Sequence, residues 1–203
     1  MSGECHFKFF MRERLSGHGF SRAAHGKGSA ALAAEGMSIP NRHQSQPGTY
    51  FVTFRTWESR RLFAAASFCE SFIETLFHYR TEGTYALHAY VLMPDHFHAM
   101  LTPTPNKTLE RAVQFIKGGS ARKLGLEHGT HFTVWQRGFS DHRIRDFSDY
   151  VIHLKYIAEN PVRKKLVTEA KEYTWSSAAN CSLLDAPPQG LKPQQREVTL
   201  RHG

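Results

Sequence analysis

The sequence predicts an α+β domain built on an antiparallel sheet of the split-βαβ, ferredoxin-like type, with helices packed mainly on one face. Alternating and helical hydrophobic patterns follow one another in the order strand, helix, strand, strand, helix, strand, helix. The second and third strands are separated by the turn signal Pro94-Asp95, so we expect a tight hairpin in mid-chain. The opposite face of the sheet is expected to be partly open for a ligand.

Each element has its own local signal. Aromatic and β-branched residues alternate from Tyr50 to Arg55, as expected of a strand. The last helix begins after a Ser-Asp capping signal and is predicted to end before Pro161, because proline disfavours helical geometry in the residue before it. The other predicted elements are a helix at 63–79, strands at 84–93 and 96–102, a helix at 109–124, a strand within 134–145 and a last helix at 148–160.

The two ends of the chain differ from its middle. Residues 1–48 are rich in Gly, Ala, Ser, His and Arg without a sustained period, which predicts a flexible basic arm, with a short helix compatible with 30–37. Residues 184–203 are rich in Pro, Gln and Arg and are predicted to be a flexible tail. The 203 residues therefore contain one domain, at 49–183.

Composition narrows the class of protein. A net charge of +8 favours a polyanionic partner such as nucleic acid. No apolar run is long enough for a membrane span or a secretory signal, so we expect a cytoplasmic protein. Cys5, Cys69 and Cys181 are widely spaced and odd in number, which indicates free thiols rather than a zinc site.

The first chemical motif is the pair His96 and His98 on the third predicted strand. Side chains on a strand alternate between faces, so both imidazoles point to the same side. Two imidazoles at this spacing can share one divalent cation. The alternative is a pair of ordinary strand histidines, one on the surface and one packed.

The second motif is Tyr156 with Asn160 on the last helix. At about 100° per residue, Asp149, His153, Tyr156 and Asn160 form a polar stripe roughly opposite the apolar stripe of that helix. A tyrosine hydroxyl beside a carboxamide suits a nucleophile next to a metal ligand. Alternatively, Tyr156 is a half-buried aromatic with a solvated hydroxyl, and Asn160 merely ends the helix.

The third motif interleaves aromatic and basic residues over 135–145. Bases can stack on aromatic rings while guanidinium groups hold phosphates. The alternative is a strand with a buried Trp135 and a charged face. The candidate DNA-binding residues, which extend to a basic surface along and after the last helix, are Trp135, Gln136, Arg137, His142, Arg143, Arg145, Lys155, Arg163 and Lys164.

Taken together, these segments resemble the REP-associated tyrosine transposases, relatives of the insertion-sequence single-tyrosine transposases. The resemblance runs from about 47 to 179 and is carried by YVLMPDHFH at 90–98, Trp135-Gln136, DHRIR at 141–145, YIAENPV at 156–162 and YTWSS at 173–177. It implies an HUH nuclease fold, a metal held by His96 and His98, Tyr156 as nucleophile and Asn160 as third ligand. The arm before Pro47 has no counterpart in the family pattern.

The resemblance also implies a reaction and a substrate. Tyr156 would cleave and rejoin single-stranded DNA beside a REP-like hairpin through a 5′-phosphotyrosine intermediate, with Mg²⁺ or Mn²⁺ as cofactor. His153 lies on the same helical stripe as Tyr156, so it is a candidate helper in removing the phenol proton; the alternative is a contact with solvent or DNA only. A monomer is favoured, with a helix-exchanged homodimer as the alternative. Two other functions compete: a non-catalytic module that binds single-stranded DNA or RNA hairpins, and a metal-dependent hydrolase of a small phosphorylated substrate.

Overall fold

The computed structural model describes residues 45–180 and 184–191. The arm and helix predicted before residue 45, the tail from residue 192, Cys5 and Cys181 lie outside the described residues. The strands are β1 (Tyr50–Arg55), β2 (Tyr85–Leu92), β3 (His96–Pro103) and β4 (Ser140–Arg143), and the helices are α1 (Ala66–Thr81), α2 (Leu109–His128) and α3 (Phe147–Arg163).

The strands form an antiparallel four-stranded sheet in the order β2-β3-β1-β4. This is the strand order of the split-βαβ arrangement, and the predicted fold class is confirmed. The hairpin of β2 and β3 turns at Pro94-Asp95 as predicted. Its ladder is interrupted by a register shift between Leu87 and Ala89.

The two faces of the sheet carry different helices. Tyr50, Val52 and Phe54 of β1 share a core with α1 and α2, whereas Phe51 points to the other side and packs with α3. Two helices therefore cover one face, as predicted. The opposite face is more covered than expected, because the apolar residues of α3 pack against β2 and β3.

Both ends of α3 differ from the prediction, because the Ser-Asp signal at 148–149 lies inside the helix and the capping residue precedes it. The helix begins at a capping residue, Asp146, whose side chain accepts a hydrogen bond from the amide of Asp149. The prediction that it ends before Pro161 is wrong, because the helix continues to Arg163. Proline removes one N–H donor, but Lys164 N–H still donates to Asn160 O (3.0 Å) and Leu166 N–H donates to Pro161 O (2.9 Å).

Packing extends beyond the predicted domain limits of 49 and 183. Ser45 Oγ accepts a hydrogen bond from Leu109 N–H (2.8 Å) at the start of α2. Asp185 accepts both the Arg80 guanidinium and the Leu87 N–H. The described ends of the chain are therefore attached to the domain.

The outer edge of β2 is covered by the chain after α3. Leu92 N–H donates to Trp175 O (2.9 Å), Ser177 N–H donates to Tyr90 O (2.9 Å), and Asp185 N–H donates to Leu87 O (2.8 Å). These bonds use main-chain groups that an edge strand would otherwise expose. Among the described helices, none is long and apolar enough to span a membrane.

Candidate active site

The histidine pair lies on β3, on the face that carries α3. His96 and His98 are 6% and 5% exposed, and their ring centroids are 4.8 Å apart. The strand alternation thus places both rings on one side, as predicted, with Phe97 in the opposite core. Neither is a surface residue, so the alternative of one exposed and one packed histidine does not describe this pair.

Each imidazole is oriented through its Nδ1 atom. His96 Nδ1 lies 2.6 Å from Asp95 Oδ1, and His98 Nδ1 lies 2.7 Å from Thr53 Oγ1 on the neighbouring strand. Such partners hold a ring in place and leave the other nitrogen for a ligand. His98 Nε2 is buried and has no hydrogen-bond partner among the described residues.

Both imidazoles are disposed to stay neutral. Burial lowers the pKa of His98 well below its ordinary value, and the nearby charges of His96, Arg55 and Lys164 act in the same direction. Burial also lowers the pKa of His96, although the Asp95 carboxylate opposes the shift. A neutral imidazole has the free lone pair that a metal ion requires.

Tyr156 of α3 meets this pair. Its ring centroid is 5.4 Å from that of His98 and 5.7 Å from that of Phe51. The Arg163 guanidinium carbon lies 5.5 Å from the centroid of the Tyr156 ring. The strand imidazoles and the helix phenol, far apart in the chain, therefore converge on one side of the sheet.

Asn160 lies one turn further along α3. The residue is 4% exposed, and its Oδ1 atom is buried without a hydrogen-bond partner among the described residues. An unpaired buried acceptor costs about 1–3 kcal/mol. Asn160 Oδ1 on α3 and His98 Nε2 on β3 are thus two buried polar atoms without partners among the described residues, and both atom types are suited to a divalent cation.

The predicted position of the polar stripe of α3 is wrong. Asp149, His153 and Asn160 are buried, and the exposed side of the helix carries Ile152 (57% exposed) and Lys155. The polar stripe adjoins the apolar stripe, and both face the sheet. Asp149 and His153 are tolerated there because they have polar partners close by, which helical periodicity does not reveal.

Trp135 cannot act as the predicted stacking platform. Its ring is 6% exposed and packs against Phe54, Phe63 and Phe72, and its Nε1–H donates to Ser120 Oγ (3.0 Å). A nucleobase has no access to this ring. The alternative of a buried Trp135 describes the structure, because the indole finds both an aromatic cluster and a polar partner in the core.

The other predicted DNA-binding residues lie outside the core. Gln136 is half-buried and its main-chain oxygen accepts the Lys117 ammonium (2.7 Å), while His142 is half-buried against Asp149. The exposed basic members of the predicted set are Arg137, Arg143, Arg145, Lys155, Arg163 and Lys164. Their exposure is what phosphate contacts require.

Two exposed aromatic residues were missed. Trp57 and Phe132 are 37% and 42% exposed, and Trp57 N–H donates to Val134 O (2.8 Å). The preceding residue, Thr56, donates its N–H to Asp95 O (2.9 Å), so Trp57 lies beside the turn that leads into His96. An aromatic residue just after a strand is the only sequence signal, and it does not distinguish a core ring from a surface ring.

A second polar cluster was also missed. His142 Nε2 lies 2.9 Å from Asp149 Oδ2, and His153 Nδ1 lies 3.1 Å from Asp149 Oδ1. The helical projection placed Asp149 and His153 on one stripe. It could not show that the β1–β4 pairing brings His142 to the same carboxylate.

The fold and the family comparison together place this chain in a transposase-like class of DNA-binding, DNA-processing enzymes. The family described as "Transposase IS200 like" matches residues 47–160, which include the histidine pair, Tyr156 and Asn160, and the chain belongs to that family. The predicted resemblance to REP-associated tyrosine transposases is confirmed by two relatives with that description.

Two relatives carry that description. The REP-associated tyrosine transposase of Escherichia coli (strain K12) is 25% identical over 142 residues, covering 70% of this chain and 82% of that protein. A putative REP-associated tyrosine transposase of Haemophilus influenzae is 27% identical over 154 residues, covering 70% and 85%. A solved REP-associated tyrosine transposase bound to a REP hairpin shares the fold, with a TM-score of 0.61, 24% identity, and coverage of 77% of this chain and 89% of that one.

Proposed function

We propose that this protein cleaves and rejoins single-stranded DNA, with Tyr156 as nucleophile and a divalent cation held by His96, His98 and Asn160. The observation that carries the proposal is the convergence of Tyr156 with His98, at 5.4 Å between ring centroids, together with two buried polar atoms, His98 Nε2 and Asn160 Oδ1, that lack partners among the described residues. A purely structural site would have no reason to leave His98 Nε2 and Asn160 Oδ1 unpaired.

The donor set fits a divalent cation. Two neutral imidazoles and one amide oxygen suit Mn²⁺, whereas Mg²⁺ prefers more oxygen ligands. We therefore expect Mn²⁺ to be at least as effective as Mg²⁺ in vitro. In the cell we expect the ion to be Mg²⁺. When bound, such an ion would polarise the scissile phosphate and offset its developing negative charge.

The chain's own residues account for the covalent step. Tyr156 Oη attacks phosphorus and forms the tyrosine–phosphate bond, while the bond from phosphorus to the 3′ oxygen breaks and that oxygen takes up a proton. The phenol proton passes to solvent or to His153, one turn earlier on α3. Attack by a 3′-hydroxyl on the 5′-phosphotyrosine reverses the step and releases the tyrosine, so strands can be joined without an outside energy source.

The substrate follows from charge and from the relatives. The net charge of +8 and the exposed cations around α3 favour a phosphate backbone. The solved relative is bound to a REP hairpin, and we propose that this chain also binds a hairpin, with the cleaved phosphate in the single strand beside it.

A single chain is proposed to be sufficient. Tyr156 and His98 of the same chain already meet, so no helix exchange is needed to complete the site. The outer edge of β2 is occupied by residues after α3, which blocks extension of the sheet by a second copy at that edge.

The test is the variant Tyr156→Phe with a labelled hairpin oligonucleotide and Mn²⁺. Wild-type protein should form a covalent adduct that persists on a denaturing gel, and Tyr156→Phe should form none while keeping its affinity for the DNA. Tyr150→Phe is the matched control, because Tyr150 is a buried tyrosine of the same helix and should leave the adduct intact. Removing one hydroxyl at a half-buried position should change stability by no more than about 0.5 kcal/mol.

The same gel separates the competing functions. An adduct in Tyr156→Phe would reject the nucleophile assignment. DNA binding without an adduct in the wild-type protein would leave a binding module. Turnover of a small phosphate ester by Tyr156→Phe would favour a hydrolase that uses activated water instead.

A further inference from the structure

The cluster of His142, Asp149 and His153 supplies no ligand to the cation proposed at His96, His98 and Asn160. Nitrogen atoms of the two imidazoles and the carboxylate of Asp149 lie within 4.8 Å of one another. His142 belongs to β4, whereas Asp149 and His153 belong to α3. The cluster therefore joins the edge strand to the helix that carries Tyr156.

The side chains are arranged around one carboxylate. The two imidazole rings stack with centroids 4.7 Å apart and planes 18° apart, and each directs a nitrogen at Asp149. Phe51 supports both rings: it pairs with His142 across the β1–β4 ladder, and its ring centroid is 4.8 Å from that of His153. The donors are thus held together before any ion binds, which reduces the ordering cost of binding one.

The Asp149 carboxylate is ionised, and one of its two oxygens is available to an ion. Burial by itself would raise the pKa of Asp149, but hydrogen bonds from His142 and from the Arg145 N–H outweigh it and lower that pKa. Arg145 directs its N–H (3.1 Å) and its Nε (3.5 Å) at Oδ2. His153 Nδ1 lies 2.9 Å from the main-chain oxygen of Asp149 and 3.1 Å from Oδ1. Because the contacts of Arg145 are to Oδ2, Oδ1 is the oxygen better placed for an ion.

We propose that this cluster is a second cation site, separate from the histidine pair on β3, that takes a zinc-type divalent ion through His142 Nε2, Asp149 Oδ1 and His153 Nδ1. Two imidazoles and one carboxylate are a common donor set for such ions, with water as the fourth ligand. His142 is half-buried, so the ion can enter from solvent. The ion takes the place of the contacts that His142 and His153 make with Asp149, including that of His153 Nδ1 with the Asp149 main-chain oxygen (2.9 Å), and each imidazole binds the ion in its neutral form.

This site would act by holding α3 in place. An ion bound by one strand residue and two helix residues cross-links β4 to the N-terminal half of α3, one turn before Tyr156. With Nδ1 on the ion, the remaining proton of His153 is on Nε2, and the phenol proton of Tyr156 then passes to solvent.

The test measures ion binding rather than cleavage. The full-length protein is stripped with a chelator and titrated with Co²⁺, whose visible absorption reports a low-coordinate site, and Zn²⁺ retention after dialysis gives the stoichiometry. His142→Ala should lose one equivalent and the part of the Co²⁺ absorption that comes from this cluster. The control, His96→Ala combined with His98→Ala, should lose any ion held by the histidine pair but keep that equivalent and that absorption. Because the experiment measures ion binding, loss of DNA cleavage in any variant neither supports nor contradicts the second cation site.

Two results would overturn the site. One is the same ion stoichiometry and absorption in His142→Ala as in the wild type. The other is a wild-type stoichiometry of one ion that disappears in the His96→Ala, His98→Ala control. His142→Gln keeps a hydrogen-bond donor for Asp149, so it provides the comparison if His142→Ala does not fold. Zn²⁺ should also raise the Tm of the control, and this shift should disappear when His142→Ala is added to the control.

Discussion

Replacing Asn160 by alanine separates its role as an ion ligand from its role in packing. The carboxamide oxygen is buried without a partner among the described residues. In the ion-free protein, Asn160→Ala removes an acceptor whose burial costs about 1–3 kcal/mol, which offsets the packing that is lost. The free energy of unfolding without the ion should therefore change by less than about 1 kcal/mol.

The loss of Asn160 as an ion ligand should become visible when Mn²⁺ is added. An ion at 100 times its Kd stabilises the wild-type fold by about 2.7 kcal/mol, and at roughly 2–4 °C per kcal/mol this raises the Tm by about 5–10 °C. If losing one donor weakens binding by roughly 30-fold, within the range of about 10–100-fold seen for metal-site partners, the gain falls to about 0.9 kcal/mol. The Tm would then rise by only about 2–4 °C.

The assay is thermal unfolding with and without Mn²⁺, at one ion concentration for all variants. All proteins carry His142→Ala, so the second proposed site adds nothing to the shift. Asn180→Ala is the matched control, because Asn180 is exposed and its amide donates to Thr174 O instead of facing the histidine pair. An Asn160→Ala protein that shows the full Mn²⁺-dependent shift would refute Asn160 as a ligand.

Two further predictions concern DNA binding and pH. Trp57→Ala should weaken binding of a single-stranded tail by roughly 5–150-fold, the range of about 1–3 kcal/mol per stacked base, without changing the salt dependence measured by fluorescence anisotropy. Leu126→Ala, at an exposed position of α2, is its control, and equal affinities would exclude stacking on Trp57. Burial lowers the pKa of His88 below its ordinary value of 6.5, so the folded protein favours the neutral imidazole. The contribution of this neutral side chain to stability is present above that pH and is lost as the pH falls. In urea titrations, His88→Gln should therefore lose less stability than wild type from about pH 6.5 to 5, and parallel curves would contradict this.

The sequence alone was sufficient for features that depend on one element and its neighbours in the chain. The period of two on β3 determined that His96 and His98 share a face, because successive strand side chains point to opposite sides. The turn at Pro94-Asp95 determined the hairpin, and the helical period located α1, α2 and α3 to within a few residues. The order of these elements was enough for the fold class.

The tertiary structure alone decided which element each side chain meets. Trp135 lies in the core because Phe54 and Ser120, distant in sequence, surround it. The polar stripe of α3 faces the sheet because His142 reaches Asp149 through the β1–β4 pairing. Periodicity records the direction of a side chain relative to its own helix or strand. The partners of that side chain depend on contacts between distant segments, and these contacts decide whether a polar group can be buried.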